Sequence, residues 1–181
     1  MLSSEFLAKS GDSQITLKQH LNEVAHYVDT VIEAYTSIWR MVLDEDCVNQ
    51  LANALKIAAL SHDLGKAAKG FQSALNGSKY HWEFRHEVLS TAILLASYDL
   101  VGNHSRNSFK EAFYLAASAV LTHHRDIQDQ QLNSDAGLAS LPTPKVVCKI
   151  NNKFREKVHE LEDAWDWLSQ FWKSHSEFNF L

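Results

Sequence analysis

Ser61-His62-Asp63-Leu64-Gly65-Lys66, followed at a short distance by Gly70-Phe71-Gln72, is the stretch on which the reading of this chain turns. Upstream of it, Leu51, Leu55, Ala58 and His62 recur at helical spacing, which predicts a helix from about Cys47 to Asp63. Gly65 is read as its stop, because glycine readily takes the left-handed conformation that ends a helix. His62 and Asp63 are therefore expected at a helix end. A shorter helix, about Ala67 to Leu75, should follow with Phe71 and Leu75 one turn apart, closed by an Asn76-Gly77 turn.

Working outward, helical periodicity continues in both directions and strand-like alternation is nearly absent, so an all-α bundle is expected. On the N-terminal side a helix is predicted from about Thr16 to Leu43. Thr16 and Gln19 have capping-box spacing, and Leu17, Leu21, Val24, Val28, Val31 and Ile32 form its apolar stripe. On the C-terminal side a helix from Phe84 or Arg85 to Leu100 aligns His86, Leu89, Ile93, Ala96 and Leu100, with Gly102-Asn103 as its end. Another, about Ser108 to His124, aligns Phe113, Ala117, Val120 and His124. Residues 125–145 are polar, hold both prolines and read as a long loop. A last helix, about Val147 to Trp172, carries Phe154, Val158, Leu161, Trp165, Leu168 and Trp172, an aromatic stripe read as core packing. The chain is taken as a single domain over residues 1–181, with the motif-bearing core at about 8–124.

Bulk composition sets limits. With 45% hydrophobic and 22% charged residues, disorder is not expected. The two cysteines, Cys47 and Cys148, form no motif and are read as reduced thiols in or near the core of a cytoplasmic protein. No apolar run is long enough to span a bilayer, and residues 1–11 lack the apolar centre of a signal peptide, so no membrane partner is expected. A net charge of -5 argues against a non-specific nucleic-acid coat. It leaves a nuclease open, because bound metal ions add positive charge that the formal count omits.

Ten histidines are the unusual number, and their positions matter more than their count. His20 lies in the first turns of the first helix, His62 ends the second, His86 opens the fourth, and His123 and His124 end the fifth. Each follows or adjoins the apolar face of its helix and is expected to point into the bundle or its rim. A single inward histidine is more often a hydrogen-bonded core residue than a ligand. Five together must each find a partner or leave a costly unsatisfied group, and a shared metal removes that difficulty. Asp63 can bridge two cations, and two metals about 3.5–4 Å apart can clamp the attacking and leaving oxygens of a phosphodiester. Asp63 and Lys66 are the expected catalytic residues, Lys66 as an ammonium that reaches a phosphate oxygen. Arg85 and Arg125 flank the histidines and are as readily solvated surface cations as phosphate contacts.

These residues resemble the HD nuclease domain of the CRISPR-associated type I interference nuclease–helicase. The likeness lies in His62-Asp63…Gly65-Lys66 with Phe71-Gln72, in Ala8-Lys9-Ser10 before Leu17 and His20, in Arg85-His86-Glu87 with Ser90, and in Val120-Leu121-Thr122-His123-His124. The order is right from about Ala8 to His124. The resemblance implies an HD-domain helical bundle with one or two divalent transition metal ions (Mn, Fe, Co, Ni or Zn) where helix ends meet. It implies His20, His62 and Asp63 around one ion and His86, His123 and His124 around the second, with Asp63 between. It implies metal-dependent cleavage of single-stranded DNA in CRISPR interference. The partners would be an effector complex and a helicase subunit or domain, the chain being a stand-alone nuclease subunit or part of a larger protein. A further ligand aspartate is expected in a D-W-x-x-S-like setting, for which Asp166-Trp167-Leu168-Ser169 is the match and Asp163 and Asp126 are competitors.

Two other functions use the same residues. An HD phosphohydrolase acting on nucleotides or cyclic nucleotides would carry the same metal set, and the double histidine and the Arg-His-Glu element weigh against it. A non-catalytic HD interaction module would have no need of His62, Asp63 and Lys66 together. For the nuclease, Trp82 or Phe84 is a candidate for stacking on a base.

Overall fold

The structure, a computed structural model, describes residues 6–9, 14–77, 85–98, 107–124 and 159–175. Among these residues six α-helices and one two-stranded ribbon build the chain. The expected loop at 125–145, Cys148, Phe154, Val158, Leu100 and the Gly102-Asn103 stop lie outside them.

Strands β1 (Leu7–Lys9) and β2 (Ile15–Thr16) pair antiparallel, with Leu7 opposite Thr16, a ribbon too short to show as alternation. Its role is to deliver the chain into α1 (Leu17–Trp39): the Leu17 N–H donates to the Phe6 carbonyl at 2.6 Å, and the Thr16 side chain accepts from the Gln19 N–H at 3.1 Å. Half of the expected capping box is thus present. The other half is not, because Gln19 turns forward to Glu23 at 2.8 Å. Leu17, Leu21 and Ala25 are buried, and Val24 and Val28 pack against the core. Beyond them α1 outruns the core. Val31 is 44% exposed and Ile32 only partly buried, so the predicted stripe is fully buried only in its first turns. The helix stops at Trp39 rather than near Leu43, because Asp44 starts the next one.

Helix α2 (Glu45–Ser61) is capped by Asp44, whose carboxylate accepts from the Cys47 N–H at 2.8 Å, with Glu45 and Asp46 in the first turn where the helix dipole favours acids. Cys47 is a free thiol and is exposed, against the expectation of a core or near-core position. Helix α2 packs chiefly on α5 (Asn107–Thr122) and then on α1. With neighbours on two sides, the face it buries is Val48, Ala54, Ile57, Leu60 and Ser61, while Leu51, Leu55 and Ala58 are only partly buried.

A 3-10 turn (Leu64–Ala67) and α3 (Lys69–Leu75) follow, then Gly77 at φ +77°, the turn expected at Asn76-Gly77. Helix α4 (His86–Ala96) buries Leu89, Ile93 and Leu94 and lies on the 3-10 turn and on α5. Ala96, expected on its inward face, is exposed. In α5, Phe113, Ala117 and Val120 are buried as their spacing predicts. The C-terminal stripe is not one unbroken helix among the described residues. A turn at Glu160-Leu161 and a 3-10 segment (Glu162–Ala164) precede α6 (Trp165–Ser174). Leu161, Leu168, Phe171 and Trp172 are buried, whereas Trp165 is 39% exposed.

Gly65 corrects a second expectation. It does not hold a left-handed cap, since Gly77 is the one described glycine at positive φ. A Cβ on Gly65 would lie 2.2 Å from the His86 carbonyl oxygen and 2.9 Å from the Ser90 nitrogen. Glycine is needed because the first turn of α4 rests on this backbone, and the Gly65 N–H donates to Ser90 Oγ at 2.8 Å. Gly65→Ala should therefore drive α4 off the turn and cost about 3 kcal/mol or more. Denaturant unfolding of the full chain measures it, and a cost of less than about 1 kcal/mol would mean that α4 can move away cheaply.

Candidate metal centre

The C-terminal ends of α2 and α5 and the N-terminal turns of α1 and α4 meet at Asp63, the residue that follows α2 and precedes the 3-10 turn. Its side chain is 2% exposed. His20 Nε2 lies 3.1 Å from Asp63 Oδ2, His62 Nε2 3.4 Å and Lys66 Nζ 2.7 Å from the same oxygen. On the other side His86 Nε2 is 2.9 Å and His123 Nε2 3.6 Å from Oδ1. The His124 ring centroid lies 4.2 Å from that of His123, tilted, and 5.0 Å from that of His86, edge-on. All six histidine and aspartate positions singled out in the sequence are brought together, and Lys66 joins them.

Their potential ligand atoms form two groups that share Asp63: His20, His62 and Asp63 in one, and Asp63, His86, His123 and His124 in the other, with the atoms of each within 4.8 Å of one another. The fit to a cation shows in which nitrogens face the carboxylate. His62 Nδ1 donates to the Ala59 carbonyl at 2.9 Å and His123 Nδ1 to the Val120 carbonyl at 2.7 Å, the free carbonyls of a helix's last turn. In a neutral imidazole the other nitrogen, Nε2, then carries a lone pair and no proton. Those bare Nε2 atoms point at carboxylate oxygens, which are acceptors too, and His62 Nε2 also faces His20 Nε2 at 3.3 Å. Asp63 Oδ1 and His86 Nε2, though 2.9 Å apart, are both buried and lack hydrogen-bond geometry. Lone pairs gathered in this way need a positive charge between them, and helix C-termini favour a cation there.

Without a cation the alternative balance is protonation of the imidazoles, whose Nε2–H groups then donate to Asp63. Burial by itself would raise the Asp63 carboxyl, but the imidazoles of His123, His62 and His86 outweigh it and hold the group well below the usual carboxylate range. Burial lowers His20 from 6.5, against the pull of Asp63. Burial also lowers His124, with His123 and His86 adding to it. Burial would lower His123 as well, yet contact with Asp63 and the Val120 carbonyl raises it.

Several neighbours had no role assigned from sequence. The Phe71 ring packs edge-on to His86 at 5.7 Å and lies under the Lys66 ammonium at 5.8 Å. Glu87, 3% exposed, accepts from Arg85, which is thereby tied to a neighbouring carboxylate beside the centre. Burial would raise the Glu87 carboxyl, and Arg85 outweighs it and lowers it. Gln72 was quoted in the motif, but no pattern in the sequence says which main-chain groups it would meet. Asp166 is exposed and belongs to neither group. Arg125, Asp126, Trp82, Phe84 and the side chain of Asp163 lie outside the described residues.

Helix ends that gather five imidazoles around one buried carboxylate define an HD-type centre on a helical bundle. Comparison with known families agrees: the family described as "Cas3, HD domain" matches residues 7–179, nearly the whole chain. The chain belongs to the Cas3 HD-domain family, the HD-type nucleases of CRISPR systems, and so to the metal-dependent hydrolases. No curated protein and no solved structure matched it. Among the described residues no helix is long and apolar enough to cross a membrane.

The lowered His124 has a measurable consequence. Its proton is held less readily in the folded than in the unfolded chain, so its contribution to stability is complete above pH 6.5 and is lost as pH falls below that value. In metal-free protein, His124→Gln should flatten the decline of unfolding free energy on the acid side of pH 6.5. Urea titrations at stepped pH test this, and an unchanged slope would show that His124 is not held neutral by its neighbours.

Proposed function

We propose that this chain is a divalent-metal-dependent deoxyribonuclease that hydrolyses phosphodiester bonds of single-stranded DNA in CRISPR interference. In this reading residues 1–181 act as one HD nuclease domain in the cytoplasm, alongside an effector complex and a helicase subunit or domain. The observation that carries it is the buried Asp63 carboxylate faced by imidazole Nε2 atoms on both oxygens.

His20, His62 and Asp63 would hold one ion and His86, His123 and His124 the second, Asp63 bridging. A set rich in imidazole with one carboxylate suits Mn, Fe, Co, Ni or Zn better than Mg or Ca. Such ions, when bound, supply Lewis acidity toward a phosphoryl oxygen and make a water acidic enough to serve as nucleophile near neutral pH. The chain's own contribution is positional. Helix-end carbonyls fix His62 and His123 in one tautomer, and Phe71 backs the His86 ring. Lys66, free to exchange Asp63 Oδ2 for a phosphate oxygen within its reach, would offset charge that builds up on the substrate. None of these contacts reads a base, so selection of the target falls to the partners.

Purified full chain should cleave single-stranded DNA when Mn²⁺ is added and lose that activity in chelator. Asp63→Ala should lower the rate by about 10³-fold or more while circular dichroism stays helical. His159→Ala, at a largely exposed histidine that belongs to neither ligand group, should cleave like the parent. Turnover of nucleotides or cyclic nucleotides with no cleavage of DNA would replace this reading with the small-molecule phosphohydrolase. Absence of bound metal together with no activity on any of these substrates would favour an interaction module.

A further inference from the structure

Gln72 ties the β1 segment that leads into α1 and His20 to the segment that carries Lys66. Its Oε1 accepts from the Leu7 N–H at 2.9 Å, and its Nε2 donates to the Leu7 carbonyl at 2.9 Å and to the Lys66 carbonyl at 2.7 Å. A carboxamide has the donor and acceptor of a peptide unit, so Gln72 pairs with the outer edge of β1 as another strand would. The inner side of the same segment is committed to α1, through the Phe6 carbonyl and the Leu17 N–H and through the pairing of Leu7 with Thr16.

Both segments end at one atom. One turn into α1, His20 Nε2 stands 3.1 Å from Asp63 Oδ2, and Lys66 Nζ stands 2.7 Å from that same oxygen. Apart from the edge-on contact of Phe71 with His86, the other half of the centre hangs on different supports. His86 is placed by the packing of Gly65 against α4 and the Gly65–Ser90 hydrogen bond, and His123 and His124 by the end of α5. We propose that Gln72 is a positioning residue for the His20–His62–Asp63 half of the centre, fixing the separation at which the start of α1 and Lys66 converge on Asp63, and that it leaves the half built by α4 and α5 untouched.

A merely structural glutamine would disturb both halves equally or neither, so asymmetry is the test. Gln72→Met keeps the length and removes all three hydrogen bonds. Gln72→Glu keeps the bond from Leu7 N–H and sets a carboxylate against two carbonyl oxygens, which gives a second variant if the first does not fold. In metal-free full chain, imidazole correlation spectra of either variant should show the His20 signals displaced, with those of His86 and His124 at parent positions. His20→Ala assigns the first set.

The metal arm rests on the reading of the centre as metal-binding. Calorimetric titration with Mn²⁺ should show one class of site weakened about 10-fold in Gln72→Met, the class that His20→Ala abolishes, with the other class unchanged. Parent protein that takes up no Mn²⁺ would count against the metal reading, and the imidazole spectra then decide the role of Gln72 alone. Equal displacement of all the histidine signals, or none in a folded variant, would overturn the proposal.

Discussion

A carboxylate taken out of water must be met by charge or by donors, and Asp63 is almost wholly buried at the place where four helices end. Everything nearby can be understood as a response to that one group. Lys66 supplies a formal positive charge at 2.7 Å, and four imidazoles approach through Nε2. Two of those imidazoles donate their Nδ1–H to helix-end carbonyls, so in neutral form they bring Nε2 lone pairs to carboxylate oxygens that already have them. The cluster is balanced either by extra protons, which crowd like charges together, or by a cation that every one of these atoms can accept as a neighbour. The second resolution uses each misaligned contact, including the buried pair Asp63 Oδ1 and His86 Nε2. It also explains how a chain of net charge -5 can act on a polyanion, because positive charge arrives where it is needed.

Helix ends are the natural material for such a centre. The last turns of α2 and α5 leave carbonyls free, and the Ala59 and Val120 carbonyls are spent on orienting His62 and His123. The close approach of α4 follows from the same requirement. His86 is the first residue of that helix, and it reaches Asp63 only because the α4 backbone lies directly on Gly65, where any side chain would collide. Gly65 and His86 are thus one structural decision, and the Gly-Lys that follows His-Asp in sequence serves packing at Gly65 and charge at Lys66.

The parts legible in the sequence were those written as identity and period. The helical class, Thr16 as a cap, the buried spine of α5 and the set of residues around Asp63 could be read because each is a local pattern or an ordered set of unusual side chains. What could not be read depends on neighbours that periodicity does not encode. The helix α1 stripe continues past the point where the core stops, so Val31 looks inward by pattern and faces outward in fact. Helix α2 is gripped by both α1 and α5, so its buried face is turned from the Leu51–Leu55 line to Ala54 and Ile57. Gly65 looked like a helix stop because a glycine required by a distant backbone and one required by its own φ are the same letter. The break before Glu162 and the ribbon of β1 and β2 were missed for a related reason, since each is only two or three residues long.

The two halves of the centre differ in how they are held, and that difference bears on how the site can work. His86, His123 and His124 come from α4 and α5, which pack on each other and, through α5, on α2, so their backbone is fixed by the central core. His20 comes from α1 at the point where a short ribbon feeds it, and the ribbon in turn is held by one carboxamide and by Phe6 against Trp167 of α6. Asp63 joins the half built by α4 and α5 to His20, which α1 holds between the buried Leu17 and Leu21, while Gln72 ties the preceding ribbon to the Lys66 segment. Ligand groups on rigid elements pre-organise a site, while those on small, separately anchored elements can shift without unfolding the core. In a centre built in this way the Asp63 oxygen shared by His20 and Lys66 is where the two sets of supports meet.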